Sequence, residues 1–230
     1  MINKVLHGDC LDIMPKIPDK SIDLVLTSPP YNLGDNHHTN KKKHYPYKDN
    51  MPEKDYQNFQ ISVLQEIYRV LKPTGSLLYN HKNRIKKGQQ ITPYEWLLKT
   101  NFVIKQELVW VNGSPNFDKI RFYPFTERIY WLAKDTKTKL KNVISHTDFF
   151  TSSEWPSVGT KKEHTRAFPI QLAENLISCF PEANIILDPF GGSGTTAIAC
   201  INTGRNYIII EKEQKYYNLI LGRIKKAKNE

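Results

Sequence analysis

Cysteine is scarce in this sequence: Cys10, Cys179 and Cys200 are the only three among 230 residues. They lie far apart, are odd in number and never fall in CxxC spacing. A zinc ribbon and a disulfide framework are thereby excluded, and a reducing, cytoplasmic setting is expected. Long apolar runs are missing as well. None approaches the roughly 18 residues that a membrane-spanning helix needs, so no membrane partner is expected. The start, Met1 to Asp9, lacks the apolar stretch of a secretory leader. His37, His38 and His44 have no acid or cysteine at ligand spacing, so they read as loop residues and no metal is expected. Acidic residues are outnumbered, 23 against 33 basic, which leaves a formal charge of +10. Such an imbalance suits a polyanionic partner. The hydrophobic fraction of 39% still suffices for a core, and the length fits one α/β domain spanning 1–230.

Strand-length apolar runs at Lys4 to His7 and Ile22 to Thr27 are ended by Gly8-Asp9 and by Ser28-Pro29-Pro30. Residues 32–52 are polar and basic without apolar period and read as a mobile loop. Phe59, Val63, Ile67 and Val70 recur on one face of a helix from Tyr56 to Leu71, which Lys72-Pro73-Thr74-Gly75 stops. Further strands are predicted at Ser76 to Tyr79, Phe102 to Val111 and Arg128 to Ala133. Residues 134–162 read as an insertion that could serve target recognition, and Phe168 to Phe180 as a helix. At the C-terminal end, strand Ile185 to Asp188, turn Gly191 to Gly194, helix Thr195 to Ile201 and strand Tyr207 to Glu211 make one βαβ unit. A basic helix follows. The expected fold is α/β: a doubly wound, mostly parallel Rossmann-like sheet with helices on both faces.

Glycines after a strand let a ligand approach the backbone where a Cβ would collide. Glu211, ending the next strand, can accept both hydroxyls of a ribose, so an adenosine-containing ligand is expected at the carboxyl ends of the strands. No lysine follows Gly194, which argues against a P-loop. Gly192-Ser193-Gly194-Thr195-Thr196-Ala197 fits GxGxxA, so NAD competes on this motif alone. The other turn, Thr27-Ser28-Pro29-Pro30-Tyr31-Asn32, separates the ligands. A rigid diproline aims the Pro29 carbonyl and the Ser28 hydroxyl into the cleft, with Tyr31 as a flat face beside them. Two acceptors on the N–H groups of an exocyclic amine favour a pyramidal nitrogen whose lone pair can attack, while an aromatic ring holds the base.

With these two motifs the sequence resembles the amino-methyltransferases of DNA, which methylate cytosine N4 or adenine N6 with S-adenosylmethionine. Thr27-Ser28-Pro29-Pro30-Tyr31 is similar to their (D/N/S)PP(Y/F) catalytic motif, and Asp188-Pro189-Phe190-Gly191-Gly192-Ser193-Gly194-Thr195-Thr196 to their DPFxGSGTT cofactor motif. The motif order, catalytic first and cofactor last, resembles the circularly permuted β-class of type II restriction-modification enzymes. The resemblance implies that Ser28, Pro29, Pro30 and Tyr31 hold a flipped target base. It implies that Phe190, Gly192, Ser193, Gly194 and Thr195 line the methionine part of the cofactor, with Asp188 near its ammonium group and Thr27 alongside. Glu211 would hold the ribose and Asp9 the adenine amine, while His164 and Pro169 match a segment that covers the methionine end.

Serine at the head of the diproline motif favours cytosine N4 over adenine N6 within this family. Cytosine C5 chemistry is excluded because no nucleophilic cysteine adjoins the turn. Double-stranded DNA is the expected partner, with phosphate contacts from Lys41, Lys42, Lys43, Lys82, Arg84, Lys86, Lys87, Lys161 and Lys162. The resemblance admits a cognate restriction endonuclease as partner, and either a monomer or a homodimer suits the length. An RNA base N-methyltransferase would use the same turn. A nicotinamide dehydrogenase explains the glycine turn and Glu211 but not Ser28 to Tyr31. A nuclease built on Asp188 with Glu213-Gln214-Lys215 fails because Glu213 and Lys215 sit at a helix start. A non-catalytic binding module leaves the intact SPPY turn unexplained.

Overall fold

A computed structural model of the chain describes residues 1–34, 49–112, 122, 124–141, 147–151 and 169–229. β1 (Lys4–His7) leads into α1 (Cys10–Ile13), whose first turn is capped by Asp9: its Oδ1 accepts from the Leu11 amide at 3.0 Å. β2 (Ile22–Thr27) stops at the diproline, as the loss of a backbone donor requires. α2 (Glu53–Val70) buries Tyr56, Val63, Leu64, Ile67 and Val70 along one face. Glu53 and Asp55 occupy its first turn and Arg69 its last, the favourable sense for the helix dipole. β3 (Leu71–His81) begins directly after this helix. The residues expected to stop the helix, Lys72 to Gly75, are therefore the start of a longer strand, with a register shift against β2 between Ile22 and Leu24.

β4 (Arg84–Lys86) and β5 (Gln89–Ile91) form a small hairpin turned by Lys87 and Gly88, both at positive φ. After α3 (Tyr94–Leu97) come β6 (Val103–Val111) and β7 (Thr126–Ala133). β8 (Phe149–Thr151) pairs in parallel with β6, so the segment read as an insertion contributes an edge strand. The remaining elements are α4 (Ile170–Ser178), β9 (Ile185–Asp188), α5 (Thr195–Asn202), β10 (Asn206–Glu211) and α6 (Gln214–Ala227).

Among the described residues the strand order is β1-β10-β9-β2-β3-β7-β6-β8. The first five strands are parallel, and β7 runs antiparallel to both β3 and β6. Residues alternate between the two faces of a strand. On β2, Val25 accordingly packs with Val63, Ile67 and Trp96, whereas Leu24 and Leu26 pack with Leu172, Ala197 and Ile220. Two apolar layers result, one under α1 to α3 and one under α4 to α6. Burial of each such aliphatic side chain contributes about 1.5–3 kcal/mol. Between β2 and β9 the chain order reverses: β2 proceeds through α2 to β3, and β9 through α5 to β10 on the opposite face. A crevice opens at the carboxyl ends of strands where such a reversal occurs.

Candidate active site

One cavity of about 890 Å³ fills this crevice, and Ser28 and Gly192 both line it. Its walls join the turn after β2 to the turn after β9, with the loops after β1 and β10 closing one end. Asp9, Asp12, Asp49, Asp188, Glu211 and Glu213 line the cavity, and among the described residues Lys212 is the one basic residue on the wall. Lys212 is itself 3.0 Å from the Asp9 carboxylate. Such a wall repels a pyrophosphate and suits a ligand carrying a sulfonium and an ammonium group. The residues present thus fit S-adenosylmethionine and do not fit NAD.

At the β10 end, Glu211 accepts from the Gly192 amide through Oε2 and from the Glu213 amide through Oε1, both at 2.7 Å. Burial nevertheless outweighs these donors and pushes its carboxyl up to about 7. At Asp9, burial is outweighed by the Leu11 amide and by Lys212, which hold the carboxyl below its ordinary value. Asp188 is buried and takes three donors: Thr27 Oγ1 at 2.7 Å, Thr196 Oγ1 at 2.7 Å and the Phe190 amide at 3.0 Å. Burial still raises its carboxyl above the ordinary range. Asp188 therefore ties the end of β2 to the start of α5, fixing one turn relative to the other.

The glycines divide their work. Gly192, at φ 52°, lies on the wall and turns its amide to Glu211. Gly194, at φ 79°, faces away from the cavity: a Cβ there would come within 3.0 Å of Ile220 on α6. Its missing side chain makes room for the packing of α6. Thr27 likewise reaches the site only through Asp188. Pro169 precedes α4 and is not part of the cavity wall.

The diproline turn is held from behind. The Tyr56 hydroxyl lies 2.6 Å from the Pro30 carbonyl and 2.7 Å from His81 Nε2. Burial, with the nearby Arg84 charge, pushes His81 down to about 3, so its ring is neutral. Its Nδ1 lies 2.8 Å from the Lys82 carbonyl, and the single phenolic proton of Tyr56 goes to the Pro30 carbonyl. Tyr31 packs against the His81 ring at 4.8 Å between centroids and is 6% exposed. Its hydroxyl lies 2.8 Å from Ser28 Oγ and donates to Glu127 Oε2 at 2.9 Å. Asp49 accepts the Asn32 amide at 2.6 Å and the Leu33 amide at 3.2 Å, fixing the chain where it leaves the turn.

Of the basic residues expected at phosphates, Arg84 faces into the fold. It is 3% exposed, forms two hydrogen bonds of 2.7 and 2.8 Å to Glu53, and lies 4.7 Å over the Tyr56 ring. Its strand faces inward, so its charge is consumed inside the fold. Lys86 pairs with the same Glu53 at 2.9 Å, and Lys82 is half-buried. Lys41, Lys42, Lys43, Lys161, Lys162 and His164 lie outside the described residues. Asn80, His81 and Glu127 join the site without any motif that marks them in the sequence. Asn80 and His81 end β3, parallel to β2, and so belong at the same rim as Ser28. Glu127 becomes visible only once β7 is known to run antiparallel beside β3.

Comparison with known proteins agrees with this geometry. Residues 22–222 match the N6/N4 methyltransferase family model, described as DNA methylase. The type II methyltransferase M.HinfI of Haemophilus influenzae is 31% identical over 99% of this chain and 69% of its own length. Among solved structures, the cytosine-N4-specific PvuII DNA methyltransferase superposes with a TM-score of 0.78 at 23% identity, covering 98% of this chain and 91% of its own. The M1.HpyAVI–SAM complex gives 0.65 at 23% identity, covering 96% and 98%. The chain belongs to the N6/N4 DNA methylases, enzymes that transfer a methyl group from S-adenosylmethionine to an exocyclic amine of DNA.

Proposed function

We propose that the chain methylates N4 of cytosine in double-stranded DNA at a specific site, acting on a base flipped out of the helix. The observation that carries this reading is the shared cavity, in which the Ser28-Pro29-Pro30-Tyr31 turn faces the Gly192 turn. S-adenosylmethionine, when bound, supplies an electrophilic methyl group. The protein's own part is to hold its adenosine between Asp9 and Glu211, and its ammonium end beside Asp188. Ser28 Oγ and the Pro29 carbonyl accept the N–H groups of the target amine, and Tyr31 provides a ring for the base. A base paired within duplex DNA cannot reach a ring that is 6% exposed, which supports extrusion of the target nucleotide.

Serine at the head of the motif supports cytosine, because in the family that the sequence resembles SPPY is found more often in cytosine-N4 enzymes and DPPY in adenine-N6 enzymes. The lysines at 41–43 and 161–162 supply phosphate contacts, and a cognate endonuclease is the partner that the type II relatives suggest. Among the described residues no helix is long and apolar enough to cross a membrane. The test is product analysis. Plasmid treated with protein and S-adenosylmethionine is digested to nucleosides and resolved by mass spectrometry. N4-methylcytosine is expected; N6-methyladenine would overturn the choice of base, and methylated nucleosides from RNA in a parallel reaction, with none from the plasmid, would overturn the substrate.

A further inference from the structure

Methylation of a neutral amine releases one proton, and neither of the two groups assigned to hold that amine can keep it. A backbone carbonyl and a serine hydroxyl accept a hydrogen bond but are far too weakly basic to retain a proton at neutral pH. We propose that Ser28, Tyr31 and Glu127 form a proton relay, with the Glu127 carboxylate as the terminal acceptor. The inference rests on the reading of Ser28 as the residue that meets the target amine.

The direction of the hydrogen bonds carries it. Tyr31 Oη donates its single proton to Glu127 Oε2 at 2.9 Å. The 2.8 Å contact between Ser28 Oγ and Tyr31 Oη must then be made by the serine proton. The chain therefore reads Ser28 O–H to Tyr31 O–H to carboxylate, every donor pointing away from the cavity. Asn80 holds the three oxygens together: its Nδ2 lies 2.6 Å from Tyr31 Oη, 3.0 Å from Glu127 Oε2 and 3.2 Å from Ser28 Oγ. An amide oxygen at that position would face a carboxylate with no proton to offer, so the NH₂ orientation is fixed. Asn112 donates to the other carboxylate oxygen at 3.0 Å. Glu127 is half-buried, so its outer side can pass a proton to water.

Other ionisable groups nearby are engaged elsewhere. The next residue on β7, Arg128, pairs with Glu107 on β6 at 2.8 Å. Asp49 accepts backbone amides through both oxygens. The His81 ring on β3 is buried, lies 2.7 Å from the Tyr56 hydroxyl and is too weak a base at about 3. In the step itself, the amine lone pair forms the N–C bond as the C–S bond breaks, its electrons staying on sulfur. One N–H proton moves to Ser28 Oγ, the serine proton to Tyr31 Oη, and the tyrosine proton to Glu127 Oε2. Glu127 then yields its proton to water and the hydroxyl chain re-forms.

The test uses the full chain and plasmid DNA in single-turnover transfer from tritiated S-adenosylmethionine. Tyr31→Phe keeps the ring and cuts the relay, and Glu127→Gln keeps the shape and removes the acceptor. Each variant is expected to slow transfer about 100-fold. The double variant should be no slower than either single, because both break one pathway. Affinity for S-adenosylhomocysteine, measured by calorimetry, should stay unchanged in all three, and slowing of transfer in D₂O, present in the wild type, should be lost in Tyr31→Phe. A Tyr31→Phe variant at wild-type speed overturns the relay, as does a double variant whose loss is the product of the singles. Loss of S-adenosylhomocysteine affinity in step with rate overturns it too. A wild-type chain that labels no DNA would instead overturn the proposed function, and the relay with it.

Discussion

Glu211 links cofactor binding to pH in a direction that the structure fixes. Burial lifts its carboxyl to about 7, against an ordinary value of 4.5. Ribose hydroxyls donate to a carboxylate, so the cofactor binds the ionised form and its affinity rises as pH increases through about 7. One ionised site in eleven at pH 6 becomes ten in eleven at pH 8, which makes the association constant about tenfold larger, or about 1.4 kcal/mol. Stability of the free protein moves the opposite way. The folded state holds the Glu211 proton more tightly than the unfolded chain, so this contribution is full below about 4.5 and is lost as pH climbs through 7. The loss amounts to about 3 kcal/mol. Calorimetric titration with S-adenosylhomocysteine between pH 6 and 8 measures the first effect, and thermal melting of the free protein the second. Glu211→Gln should flatten both curves, which separates this carboxyl from Asp188, also raised by burial. Affinity that is level from pH 6 to 8 in the wild type would refute the reasoning, as would a slope that survives in Glu211→Gln.

Two further substitutions separate wall from scaffold. Gly194→Val places a branched side chain at φ 79° against Ile220, so it should cost about 2–5 kcal/mol of folding stability in a melting experiment. A variant with wild-type melting and no cofactor binding would return Gly194 to the cavity wall. Thr196→Val removes one of the three donors to the buried Asp188 carboxylate and should cost about 1–3 kcal/mol in denaturant unfolding. No change in the midpoint would mean that Asp188 does not depend on that hydroxyl.

Much of the parallel half of the sheet was legible because β2, β9 and β10 are largely apolar runs closed by a diproline or an acid. Ile22 to Thr27, Ile185 to Asp188 and Tyr207 to Glu211 all read this way, and buried parallel strands need no alternation. β8 was not legible, since three residues carry no period. The start of β3 was obscured by Lys72-Pro73-Thr74-Gly75, which has the composition of a turn. Both cavity-facing turns were legible from residue type, since diproline and glycine clusters dictate backbone shape locally. What the sequence did not disclose is which way a side chain faces. Arg84 looked like one more surface cation among Lys82, Lys86 and Lys87, and its burial follows from the inward face of β4. Gly194 looked equivalent to Gly192, and only the position of Ile220 on α6 tells them apart. Glu127 is distant from every motif and joins the site through an antiparallel pairing that no local signal specifies.

Asp188 gives the arrangement its coherence. A carboxylate bound at once to Thr27, Thr196 and the Phe190 amide makes the two turns one rigid unit across the strand reversal. Rigidity of this kind matters because methyl transfer needs donor and acceptor atoms held about 3–3.5 Å apart and in line. A crystal structure with S-adenosylhomocysteine tests this geometry most directly. The ribose should lie on Glu211 and the sulfur should point across the cavity toward Ser28 and the Pro29 carbonyl. A ligand seated outside this cavity, or one whose sulfur faces away from the diproline turn, would contradict the account.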